Sequence, residues 1–180
     1  MIETERLFLR GPQPSDKHAV RAQLSKYEIA RWLAKVPHPY PKDHEDTWWE
    51  RVLERERLGY PAYFMLVPKD AQDDRPIGCI AIGPTPQGNW RMGYWLDEPW
   101  WGKGLMTEAT TCVLAHAFET WEPLHVFAGV YEGNVGSERI LRNLGFTDVD
   151  TTQEWCEARR KTLPHINLVK ENPHRFDASP

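Results

Sequence analysis

The chain has 180 residues, of which 41% are hydrophobic and 27% charged, and its formal net charge is −4. That balance suits one soluble domain with a real core and leaves little room for two. A nucleic-acid binder built on a basic face is excluded because the net charge is negative and no Lys/Arg run is longer than the three residues Arg159-Arg160-Lys161, and no stretch approaches the ~18 apolar residues of a membrane span.

Cys79, Cys112 and Cys156 are odd in number and form neither a CxxC pair nor a ligand set, and the seven His include no HExxH pairing. The reading is reduced thiols, no metal, and a cytoplasmic setting, since residues 1–10 lack the apolar centre of a signal peptide. The nine Trp are unusual; so many indole rings need large flat surfaces, in a core or in a ligand cleft.

In chain order, residues 5–10 alternate polar and apolar around Leu7 and Leu9, which predicts a half-buried strand. Prolines 12 and 14 end it, and Ser15 or Asp16 can cap a helix over 16–34 carrying Val20, Leu24, Tyr27 and Trp32 on one face. Prolines 37, 39 and 41 exclude helix there. A second helix is expected over 42–58 with Trp48, Val52 and Leu53 inward and its mixed charges in solvent. Ala62–Val67, Ile77–Ile82 and Trp90–Leu96 are short apolar runs separated by turns, an antiparallel meander.

Thr107–Thr120 is predicted as a helix capped by Thr107, with Glu108 at its positive end. His125–Val130 is a further strand, and Ser137–Leu144 a short helix stopped by Gly145 with Phe146 behind it. Residues 151–159 and 162–169 form a last hairpin, and 171–180 a tail, leaving one domain over 1–170. An α+β fold is expected, a single mixed sheet flanked by helices.

The segment Trp101-Gly102-Lys103-Gly104-Leu105-Met106-Thr107 lies between a predicted strand and a predicted helix. Its glycines permit a tight turn with bare amides, and the helix adds unpaired N–H groups at its positive end, together a site for a phosphate or pyrophosphate. A helix-capping turn with no ligand is the bland alternative. The P-loop pattern fails because Gly104 follows Lys103 and the upstream glycine is missing; the dinucleotide fingerprint fails because Thr107 stands where its third glycine belongs.

Several motifs accompany that turn in fixed order: Thr-Glu-Arg-Leu-x-Leu-Arg at 4–10, a Pro/Tyr-rich loop at 36–41, Gly-Tyr-Trp-Leu at 93–96, Thr-Glu-Ala at 107–109, Asn134 with Ser137, and Leu-Gly-Phe at 144–146. The set resembles the GNAT superfamily of N-acetyltransferases, in the branch of the ribosomal-protein N-terminal (RimJ/RimL-type) enzymes. The resemblance implies the acyl-CoA N-acyltransferase fold, a mostly antiparallel sheet of about seven strands splayed in the middle and flanked by about four helices. Two positions depart from the pattern. Met106 replaces a small residue, and Asn143 stands where a lysine is frequent.

The resemblance also implies acetyl-CoA as cosubstrate and direct attack by a primary amine, the acceptor being a protein N-terminus or a small molecule such as an amino acid, polyamine or antibiotic. Trp95 and Leu96 would line the pantetheine arm, the Leu96 amide polarising the acetyl carbonyl. Amides of Trp101, Gly102, Lys103, Gly104, Leu105, Met106 and Thr107 would cradle the pyrophosphate. Asn134 would hold the pantetheine or order a water and Ser137 protonate the leaving thiolate, with Arg139 and Arg142 offsetting Asn143. A plain helix cap is the competing role for Ser137. Asp97, Glu98 and His125 are candidate bases; His38 and Tyr40 are candidates for the acceptor pocket, as are Trp48, Trp49, Trp95 and Trp155 for its walls. A non-catalytic acyl-CoA sensor is the rival from another class, and a homodimer through the last hairpin is compatible with the sequence.

Overall fold

The computed structural model describes residues 1–59 and 63–175. Its eight strands are β1 (Ile2–Glu3), β2 (Leu7–Arg10), β3 (Tyr63–Pro68), β4 (Gly78–Pro84), β5 (Trp90–Leu96), β6 (His125–Tyr131), β7 (Thr147–Cys156) and β8 (Lys161–Glu171). They form one sheet in the order β1-β2-β3-β4-β5-β6-β8-β7, antiparallel throughout except for the parallel pair β5/β6. Five helices flank it: α1 (Lys17–Leu24), α2 (Tyr27–Ala30), α3 (His44–Arg57), α4 (Leu105–Thr120) and α5 (Val135–Asn143). Among the described residues no helix is long and apolar enough to cross a membrane.

The mixed sheet and the strand–turn–helix at 90–120 are as expected, and four details differ. The helix expected over 16–34 breaks at Ser25–Lys26 because Lys26 is extended (φ −76, ψ 123). Its carbonyl then starts α2, accepting from the Ile29 and Ala30 amides, and its ammonium reaches Asp97 at 2.5 Å. Tyr27 consequently faces outward rather than inward. Leu53 is 47% exposed, on the outer side of α3. The last hairpin is longer than read, and the tail starts later: Glu171 still belongs to β8, and Asn172 is buried with its amide on the Leu124 carbonyl. Ala62 and residues 176–180 lie outside the described residues.

Alternation along the strands sends side chains to two faces. On one face Leu66, Ile80, Met92, Leu96, Val126 and Val130 pack with Ala109, Val113 and Ala117 of α4 and Leu141 of α5, the main core. On the other, Met65 and Cys79 pack with Val20, Leu24, Trp48 and Val52 of α1 and α3. Farther along that second face Tyr131, Cys156 and Ala158 pack with Ala30, Trp32 and Ala34. Val36 packs against both of these last clusters.

The strands β5 and β6 pair only at Trp90↔Val126 and Arg91↔Phe127. Beyond Arg91 they part, while β4 continues to pair with β5 as far as Leu96 and β8 with β6 as far as Tyr131. The result is a wedge-shaped gap in the middle of the sheet, widening toward the C-terminal ends of both strands. The loop carrying Trp32 to Val36 crosses the second face at its open end, since that loop packs on both sides of the gap.

Candidate functional site

The turn after β5 is held from three directions. Trp101 donates its indole N–H to the Leu96 carbonyl at 2.7 Å, fastening the turn to the strand end. Lys103 lays its ammonium over the Trp100 ring at 4.8 Å, and its carbonyl accepts from Arg6 Nη1 at 2.8 Å. Gly102 and Gly104 have φ of +72° and +75°, a left-handed backbone that a side chain would strain. Gly104 is the N-cap of α4, so the helix starts at Leu105 and Thr107 lies within its first turn, not at its cap. The amides of Leu105, Met106 and Thr107 are therefore the unpaired first-turn donors, aligned with the positive end of a sixteen-residue helix. Such donors fit an anionic phosphate. The Met106 side chain is 5% exposed and packs in the main core; its bulk turns inward, away from the turn.

Behind the turn, Glu108 accepts from the Arg6 amide at 2.8 Å and from Arg6 Nε at 2.7 Å, and the Thr4 hydroxyl donates to it too. Burial pushes the Glu108 carboxyl up, but the bonds from Thr4 and Arg6 outweigh it and hold the group below the usual carboxylate range. The Thr-Glu-Arg and Thr-Glu-Ala motifs, far apart in sequence, are thus one contact.

At the gap, the Asp97 amide bonds back to the Ile77 carbonyl at 2.7 Å. Successive peptide groups of a strand face opposite edges, so the Leu96 peptide edge faces the gap, as its carbonyl bond to Trp101 also requires. Tyr94 lies two residues before it, on the α5 face. Its hydroxyl is 2.9 Å from Ser137 Oγ and donates to the Ser137 carbonyl at 3.3 Å. Burial pushes the Tyr94 phenol up to about 12, against the opposing pull of the Ser137 bond, so it stays protonated. Ser137 is not the helix cap. Asn134 is, with its side-chain oxygen accepting from the Ser137 amide at 3.3 Å, which leaves the Ser137 hydroxyl to Tyr94.

Other expected residues are placed elsewhere. Arg142 is engaged by Glu138 and Asp148 at 3.0 and 3.1 Å, and Arg139 is exposed on α5. His125 begins β6, beside Trp90 at the closed end of the gap and a strand's length from the turn. Asp97 is bound by Lys26 and caps the Glu98 amide, and Glu98 is exposed. On the second face Trp95 donates to Gln23 at 2.9 Å, Trp48 is in the α1/α3 core beside half-buried Trp49, and Trp155 is exposed. His38 meets the edge of Tyr27 and Tyr40 that of His44. Among the described residues no group of three or more His, Cys, Asp and Glu is gathered for a metal.

Sequence reasoning missed Tyr94, His165 and Arg159. Tyr94 was legible in principle, since alternation along 93–96 opposes it to Trp95. His165 and Arg159 required the register of β6, β7 and β8. The His165 ring, its pKa pushed down by burial, covers Gly129, where an added Cβ would lie 2.0 Å from its Cε1.

A family model described as an acetyltransferase (GNAT) domain matches residues 6–147. The chain belongs to that family, an acyltransferase class of enzyme. It is 39% identical over 101 residues to the Probable N-acetyltransferase YjcK of Bacillus subtilis (strain 168), a match spanning 54% of this chain and 56% of that one. It is 25% identical over 142 residues to the [Ribosomal protein uS5]-alanine N-acetyltransferase of Escherichia coli (strain K12), covering 76% and 70% of the two chains. In fold it resembles the ribosomal-protein-S5-alanine acetyltransferase of Vibrio fischeri, with a TM-score of 0.79 at 24% identity over 99% of this chain and 98% of that one.

Proposed function

We propose that this enzyme transfers the acetyl group of acetyl-CoA to a primary amine, the α-amine of a protein N-terminus, by direct attack in a ternary complex. The observation that carries the reading is the gap between β5 and β6, with the Leu96 amide on one edge and the Tyr94–Ser137 pair on the α4/α5 face. Acetyl-CoA supplies the activated acyl group as a thioester.

The chain's own groups then have distinct tasks. The first-turn amides of α4, with the left-handed Gly102–Gly104 backbone, bind the diphosphate. The peptide edge of β5 aligns the pantetheine amides as a neighbouring strand would. The Leu96 N–H is aimed at charge developing on the carbonyl oxygen. Ser137 passes its proton to the departing sulfur and is resupplied from Tyr94, while the proton shed by the amine as the amide forms goes to solvent, from which Tyr94 is reprotonated. The donor occupies the α4/α5 face, so the amine enters from the opposite face, between Trp95 and Tyr131. An N-terminal amine has a pKa of ~7.7–8.0 against ~10.4 for lysine, so a useful fraction is neutral at pH 7 without a strong base. The names of the Escherichia coli and Vibrio fischeri relatives support a ribosomal-protein N-terminus as acceptor class.

Thiol release from acetyl-CoA, measured across N-terminal peptides, lysine-side-chain peptides and small amines, tests this. Turnover is expected with N-terminal peptides first. Acetyl-CoA binding with no turnover on any acceptor would instead mark a sensor.

A further inference from the structure

We infer that the acceptor site recognises a carboxylate carried close to the acceptor amine, through the guanidinium of Arg159. The inference rests on the acetyl-transfer reading above and adds the chemistry of the second substrate.

The turn joining β7 to β8 folds over the second face of the sheet, against the loop that crosses the open end of the gap. The Glu157 amide donates to the Ala34 carbonyl at 3.1 Å, and Cys156 Sγ to the Arg31 carbonyl at 3.6 Å. This brings Arg159 over the Trp32 ring at 4.1 Å, with the Tyr131 ring 5.6 Å away. Tyr131 is the last residue of β6, at the mouth of the gap on the side from which the amine enters.

Arg159 has no ion pair among the described residues, and its Nε and Nη2 are buried with no hydrogen-bond partner. These two nitrogens share one edge of the guanidinium plane. Their N–H bonds are parallel, the spacing that meets both oxygens of a carboxylate. A buried donor left unbonded is costly, and more so when charged, so the edge is a recognition element awaiting its partner. Stacking on Trp32 fixes the plane, which lowers the ordering cost of binding. Arg31 stands over the same ring at 4.9 Å, held by Glu28 at 3.1 Å. Arg159 is half-buried, and its guanidinium carbon lies 5.6 Å from the Tyr131 ring at the end of β6.

The carboxylate has two sources: an acidic side chain beside a protein N-terminus, or the α-carboxylate of a free amino acid. The test therefore has two arms. One compares tripeptide amides with aspartate or asparagine at the second position; the other compares a free amino acid with its amide. In at least one arm the acid form is expected to show a kcat/KM about tenfold or more above its neutral partner. The arm that does so identifies the source. Arg159→Gln should bring that ratio close to one through KM, while the KM for acetyl-CoA is retained. Equal kcat/KM for acid and neutral forms in both arms would overturn the inference, as would an Arg159→Gln variant that keeps the preference. Calorimetric titration with the N-acetylated aspartyl and asparaginyl tripeptides reads binding without turnover. Preferential binding of the acidic product by the parent protein, in this pair or between an N-acetylated amino acid and its amide, supports the carboxylate site even if acetyl transfer fails, and equal binding in both pairs sinks it even if transfer succeeds.

Discussion

Tyr94 and Ser137 come from a strand and a helix that share no backbone pairing, yet their hydroxyls lie 2.9 Å apart. A phenol with its pKa pushed up to about 12 holds its proton across the physiological range. It is therefore a donor whenever the Ser137 oxygen is left electron-rich. Removing the serine hydroxyl leaves the departing thiolate without an adjacent proton source, and Ser137→Ala should lower kcat by ~10² with little change in acetyl-CoA affinity, the usual scale for a positioned acid. Tyr94→Phe keeps the ring in the core but removes the relay, so kcat should fall by a smaller factor. Steady-state kinetics of both variants decide the point: an unchanged kcat in Ser137→Ala would leave that residue a helix position and nothing more.

The head of α4 shows what a whole element contributes. Its first-turn amides are presented only if the helix stays fixed against the sheet edge, and the fixing comes from Glu108 with Thr4 and Arg6. Because the folded-state Glu108 carboxyl titrates below its ordinary value of 4.5, the clamp's stability is fully present above that value. It is lost as pH falls through the lower, folded-state range. Glu108→Ala leaves Arg6 and the Thr4 hydroxyl without their shared acceptor and should cost about 2 kcal/mol by urea unfolding at pH 7, on the scale of hydrogen bonds to a charged group. It should also weaken acetyl-CoA binding and flatten the acid limb of the stability profile. A stable variant with normal affinity would show that the turn needs no brace. The elements of this clamp were readable in sequence as motifs, because turn glycines and helix starts leave local signals. Their meeting was not, because it depends on packing between residues about a hundred positions apart. The break at Ser25–Lys26 was hidden for a similar reason: the periodicity continues through it, and a tertiary partner, Asp97, overrides propensity. A cap competed with the acid role for Ser137 because Asn134 and Ser137 are both good cap formers, and only the helix start separates them.

At the scale of the molecule, the sheet is two half-sheets joined by a short parallel pairing, each half with apolar clusters of its own on the second face and a shared core beneath α4. A ligand seated between the halves binds only when both are folded and so stabilises the native state alone. At a hundred times its dissociation constant acetyl-CoA should contribute ~2.7 kcal/mol. For a chain of this size that raises Tm by roughly 5–10 °C. Gly104→Val places a β-branched residue at φ +75° beside Arg6, so the variant should melt a few degrees lower without ligand. If the left-handed turn holds the diphosphate, the acetyl-CoA-dependent rise should also vanish, while the far-UV spectrum remains that of the parent. Calorimetry of the two proteins with and without acetyl-CoA separates the effects, since strain lowers both curves and lost binding removes only the difference between them. A full ligand-dependent rise in folded Gly104→Val would move the diphosphate away from the head of α4, and with it the orientation of the donor in the gap.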